Sequence, residues 1–205
     1  MPEFVALRRG AAMARNIAAL GFRAHTGWAA VVAFGPEWKV LERRRLVYEP
    51  EPTRFIYHHI AETASDGAEA LIEKARAQAA EKARREIATL LLELRGNGKH
   101  VASAGVPGGN ARLPASLAEI LAAHSRIHAA EGAFYRDVLA TACERVGLCV
   151  KRTPERDLWA AASTAVGSGA DGLRDRIVEM GKQLGPPWGE DQKLAALAAL
   201  VALKA

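Results

Sequence analysis

The segment HSRIHAAE, residues 124–131, concentrates polar side chains able to do chemistry: His124, His128 and Glu131. In a helix, steps of four and three residues bring all three to one face. Neutral imidazoles with a carboxylate suit zinc or iron when another element completes the ligand set. His58 and His59, in the segment after the third predicted strand, are candidate donors. Imidazole also titrates near neutrality, so general acid–base work is a second use. A third reading is a helix face packed on a sheet, its rings hydrogen-bonded to neighbours.

A second set is dispersed along the chain. Arg23, His25 and Thr26 fall around the first predicted turn, and Glu190 and Asp191 open the last predicted helix. Acids at a helix start offset the helix dipole or hold a hard divalent cation through oxygen. A guanidinium cannot ligate a cation. Arg23 can instead pair with Asp191, grip a phosphate through a bidentate fork, or face solvent. VPGGNARLP, residues 106–114, is a glycine turn that can also turn backbone amides toward an anion, but it lacks the Gly-Lys-Ser/Thr of a P-loop. Glu155 and Asp157 fall in a first helical turn, where acids serve the dipole. ERRRL, residues 42–46, with Tyr48 nearby, reads as a solvated edge strand or as a contact for a phosphate backbone.

The elements that must position these groups are legible from apolar spacing and turn residues. Ile17–Phe22 and Trp28–Phe34 are short apolar runs separated by His-Thr-Gly, and Lys39–Tyr48 resumes as a strand after Gly35-Pro36. Residues 49–65 are Pro-rich at first and read as irregular. Apolar residues from Ala68 to Leu94 recur at helical spacing, and Gly96-Asn97-Gly98 ends that helix. His100–Val106 is a small-residue strand. Ser116 and Glu119 form a capping-box signature opening a long helix to Gly147. Leu148–Arg152 is a fifth strand, and Thr153-Pro154-Glu155 starts another helix. Helices over Leu173–Leu184 and from Glu190 complete the chain. A meander followed by right-handed crossovers places the fourth strand beside the first and parallel to it. The expectation is an α/β domain: a five-stranded mixed sheet with helices on both faces.

The 205 residues are half apolar, which suits one domain with a full core. Residues 1–15 read as a loose tail rather than a signal peptide, with Met13 as a candidate start, and 16–205 as the domain. A net charge of +5 tolerates polyanions without requiring them. Cys143 and Cys149, the two cysteines, make neither a disulfide framework nor a zinc knuckle, which points to a reducing, cytoplasmic setting. No apolar run reaches the roughly 18 residues of a membrane span.

Ala18–Val32 (AALGFRAHTGWAAVV), Thr153-Pro154, the Gly-Ser-Gly-Ala-Asp linker at 167–171 and the Ala/Leu-rich last helix carry a family likeness. In these features and in element order the chain resembles the ribonuclease H-like superfamily, closest in layout to RuvC-type Holliday-junction resolvases. The resemblance implies cleavage of phosphodiesters by two metal ions held by four carboxylates. Matched in turn, the first acid falls on Arg23, and the second on the acid-free stretch Ala102–Val106. The last two fall on Glu190 and Asp191, with Leu194 one turn beyond. The implied protein is therefore a diverged, non-nucleolytic binding or interaction module with no cofactor. Its expected partners are nucleic acid or another phosphate-bearing ligand, with Arg23, His25 and Thr26 as contacts, or a second copy through the 68–95 helix. The alternative is a metal-dependent nuclease or hydrolase (Mg, Mn or Zn) using His124, His128, Glu131 and Asp191.

Overall fold

Two alternating apolar runs meeting at Thr26-Gly27 form the central hairpin of a computed structural model that describes residues 17–63, 66–167 and 169–205. The tail expected at 1–15 lies outside the described residues. Strand β1 (Ile17–His25) pairs antiparallel with β2 (Trp28–Phe34), from Ala19 opposite Phe34 to His25 opposite Trp28. Gly27 takes φ 82° at the tip, a conformation glycine adopts without steric cost. Strand β1 runs three residues past the expected Phe22, so Arg23 and His25 are held in the strand itself.

Strand β3 (Val40–Val47) pairs antiparallel with β2, β4 (His100–Gly105) joins β1 in parallel, and β5 (Cys149–Lys151) joins β4 in parallel. The order β3-β2-β1-β4-β5 is the expected mixed sheet.

Helices cover both faces. Helix α1 (Ile56–Thr63) forms where irregular chain was expected, burying Ile56, Tyr57 and Ile60. Helix α2 (Ala68–Gly96) ends as its Gly-Asn-Gly signal requires, with Lys99 N–H bonded back to the Leu94 carbonyl. The long helix expected from Ser116 is two helices, α3 (Leu117–Leu121) and α4 (His124–Arg145), because Ala123 is extended (φ −146°, ψ 125°). Ser116 Oγ does accept the Glu119 N–H at 3.1 Å. After β5 a 3-10 turn, Glu155–Asp157, leads into α5 (Leu158–Val166). No side chain caps that start; the Thr153 carbonyl instead accepts from Gly108 N–H. Helices α6 (Ala170–Leu184) and α7 (Glu190–Leu203) complete the second layer.

One core lies under α1, α2 and α4, around Leu20, Phe22, Val31 and Phe134. The other lies between the sheet and α5–α7, around Val32, Phe34, Leu158 and Leu197. Leu194–Ala202 are all buried, as expected of a helix apolar on every side. Helix α7 lies flush on β1 and β4 because Gly21 and Gly105 present no side chain. A Cβ on Gly21 would stand 1.9 Å from the Ala195 carbonyl oxygen, and one on Gly105 2.1 Å from that of Ala198.

Two of the three arginines of β3, Arg43 and Arg44, are engaged within the fold, while Arg45 is exposed as an edge strand suggests. Arg43 donates to the carbonyls of Leu184, Gly185, Pro186 and Pro187 at 2.7–3.3 Å. Arg44 pairs with Glu42 and with Glu93 of α2. The apolar stripe of α2, from Ile72 to Leu94, packs into the core of its own chain, leaving Leu92 exposed. Both cysteines are free. Among the described residues no helix is long and apolar enough to cross a membrane.

Candidate functional site

Two polar clusters stand at one end of the sheet, on opposite faces. The first is built on β1. Alternation along the strand sends Leu20 and Phe22 to the α2/α4 side, and Gly21, Arg23 and His25 to the α7 side. Arg23 Nη1 forms an ion pair with Glu155 Oε2 at 2.9 Å, both about one-third exposed or less. His25 Nε2 lies 2.8 Å from Asp191 Oδ1. Of the uses open to Arg23, the pairing with Asp191 does not form; two contacts stand instead, Arg23 to the 3-10 turn and His25 to α7.

The His25 ring stacks on Trp28, with centroids 4.1 Å apart and planes 7° from parallel. Arg45 lies 4.0 Å from the Trp28 ring centre. Strand order places Trp28 between the two, so a layer of imidazole, indole and guanidinium spans β1, β2 and β3. Thr26 occupies the turn, Asp191 is half-buried, and Glu190 is exposed to solvent.

Arg136 of α4, which sequence reasoning did not single out, is half-buried beside this cluster. Its guanidinium fills space left by Gly109 and Gly132, whose Cβ atoms would stand 2.3 and 3.0 Å from it. Burial lowers its pKa first of all; Asp137 and Glu155 oppose that change, and Arg23 and Arg152 add to it. Asp137 is itself engaged by Arg152 at 2.7 Å, and Glu155 by Arg23. The Arg136 side chain makes no hydrogen bond or ion pair among the described residues. The glycine loop after β4 is pinned to β5 by Val106 N–H to Lys151 O and Gly108 N–H to Thr153 O. Its Gly108 amide is therefore spent within the fold, and Gly109 makes room for Arg136.

The second cluster joins α1 to the first turns of α4. Glu131, 2% exposed, accepts the backbone N–H groups of Tyr57 and His58 through Oε1 at 2.7 and 3.4 Å. It thereby caps α1 from another helix and fixes where His58 projects. His128 Nε2 and His124 Nε2 lie 2.9 Å apart, and the His58 ring stands 4.6 Å from the His128 ring and 5.4 Å from that of His124. One ring nitrogen from each of the three lies within 4.8 Å of the others. Burial pushes the Glu131 carboxyl up to about 7 against the two amides that stabilise its charge. Lost solvation, with His124 and His58 close by, lowers the His128 imidazole.

The histidine pair therefore gains a third ring from α1, from His58 and not His59. Glu131 stands behind His58, outside the converging nitrogens, where the sequence had suggested a ligand. Asp191 is not part of this group; it belongs to α7 on the other face. The sequence named both His58 and His59 as donors; the choice between them depends on α1, and a single turn of apolar spacing after a Pro-rich stretch gives little signal of a helix. No protein-family model matches the chain, and no match is found among curated proteins.

Proposed function

We propose that this chain is a ribonuclease H-like domain that binds a phosphate-bearing ligand, nucleic acid foremost, at the end of β1 and β4 without cleaving it. The strand order β3-β2-β1-β4-β5, with only β2 antiparallel to both its neighbours, agrees with the layout that the resemblance implies. The observation that carries the reading is Arg23 at the β1 tip, where the resemblance calls for a carboxylate. Arg23 holds Glu155 in an ion pair, His25 Nε2 lies 2.8 Å from Asp191 Oδ1, and among the described residues no three acids converge there. Two-metal cleavage needs such convergence.

Binding draws support from Arg136. Arg136 is half-buried and, among the described residues, its side chain makes no ion pair or hydrogen bond; Asp137 and Glu155 act on it only at a distance, and an anion placed beside it and Arg23 offsets the cost of its burial. The test is anisotropy titration of labelled branched DNA, duplex DNA and single-stranded RNA at two salt concentrations, with gels in Mg²⁺ and Mn²⁺. Expected are salt-sensitive binding, at least tenfold weaker in Arg136→Ala, and intact substrate. Metal-dependent cleavage abolished in Asp191→Asn overturns the non-nucleolytic half of the reading. Absence of binding even at low salt overturns the other half.

A further inference from the structure

We propose that His58, His124 and His128 hold one divalent ion of the zinc class through one nitrogen of each ring, leaving a fourth position open to water or an anion. Three imidazoles from two elements are a donor set that zinc, copper and nickel accept and that magnesium and calcium do not favour. One separation is already close to that of a bound state, and the three nitrogens all lie within 4.8 Å of one another. Nitrogens about 2.0–2.1 Å from a tetrahedral ion lie roughly 3.3 Å from one another, and the His124–His128 pair stands at 2.9 Å.

The surroundings point the same way. His58 Nδ1 lies 3.5 Å from Glu131 Oε1, yet it is buried and makes no hydrogen bond; Glu131 Oε2 is likewise buried without a partner. With Glu131 ionised, a lone pair on Nδ1 facing it would be repulsive, so in that state the proton belongs on Nδ1 and the Nε2 lone pair is left for an ion. A small rotation of the ring turns that N–H onto Glu131, giving the carboxylate–histidine–metal arrangement that orients metal-binding imidazoles. Glu131 is held rigid for this by its bonds to the α1 amides.

An accidental pair of helical histidines would not need His58, whose place depends on a buried carboxylate on another helix. His124 and His128 are exposed, so the side of the group away from Glu131 faces solvent. Phe55 packs edge-on against His58 with ring centres 5.9 Å apart, an apolar wall on one flank. The residues are distinct from Arg23, Arg136 and Asp191, so failure of nucleic-acid binding leaves this site untouched.

The test uses the full, untagged chain, stripped with chelator, then titrated with Zn²⁺ by calorimetry and by competition with a chromophoric chelator. Expected are one ion per chain and a Kd below about 1 μM, with Co²⁺ giving the visible bands of a tetrahedral site and Mg²⁺ no response. His58→Ala and His124→Ala each weaken binding at least about 100-fold, with helical content unchanged by circular dichroism. Glu131→Gln weakens it by about 10–100-fold. Because Glu131 also caps α1, the two histidine variants are the decisive ones. A Kd weaker than about 1 μM, or a loss under tenfold in His58→Ala, overturns the proposal.

Discussion

The Nε2 atom of His25, the last residue of β1, lies 2.8 Å from Oδ1 of Asp191 in the first turn of α7. The tip of the central strand is thereby tied to the start of the buried helix by an imidazole and a carboxylate. Both side chains are 32% exposed, so solvent screens the pair. Asp191→Asn is expected to lower stability in urea unfolding by no more than about 1 kcal/mol. A loss well above that would show the pair to be a keystone of α7 docking.

Gly21 carries far more. The Ala195 carbonyl oxygen stands 1.9 Å from the position a Cβ would take, and the Ala199 nitrogen 2.4 Å. Both are backbone atoms of α7, so no side-chain rotation can relieve the overlap. Gly21→Ala is expected to cost about 3 kcal/mol or more, at the upper end of overpacking penalties, read by thermal or urea unfolding. A near-neutral result would mean that α7 does not lie on β1 as described.

Arg43 ties β3 to the link between α6 and α7 by donating to four successive carbonyls. Its planar fork reaches several acceptors at once, and an ammonium cannot reproduce that geometry. Arg43→Ala is expected to destabilise by about 2 kcal/mol, in the range of hydrogen bonds to charged donors. Arg43→Lys should restore less than half of the loss in the same unfolding measurement.

The Arg44 guanidinium beside Glu93 holds that carboxyl below its ordinary value. A carboxylate depressed in the folded state adds stability above its unfolded pKa, and loses it as pH falls through the folded one. The contribution is thus complete above about pH 4.5 and fades on further acidification. Melting curves of Glu93→Gln should fall below those of the parent at neutral pH and converge with them in acid. A gap that persists or widens in acid would separate Glu93 from Arg44.

Much of the fold was legible because its signals are local. Apolar runs bounded by His-Thr-Gly, Gly-Pro and Gly-Asn-Gly mark strands and helix ends within a few residues, and the five strands stand where those runs are. Helix α1 was not legible. Its N-terminal amides are satisfied by Glu131 from another helix, a reason for helix formation that no window around Ile56 contains. The break between α3 and α4 falls on Ala122 and Ala123, residues with no breaking signal of their own. Arg136 was hidden similarly, since the two glycines that make room for it lie on different elements.

By itself the sequence determined the five strands and most of the helices, and it put a permanently charged Arg23 near the end of the first strand. Local periodicity, turn chemistry and the fixed protonation of a guanidinium are properties of neighbouring residues, so they survive without coordinates. Only the tertiary structure decided that Arg23 takes Glu155, that Asp191 takes His25, and that His58 joins His124 and His128. Each of those choices is made between residues far apart in the chain. They are brought within bonding distance by which face of the sheet a helix covers, and that is settled by packing.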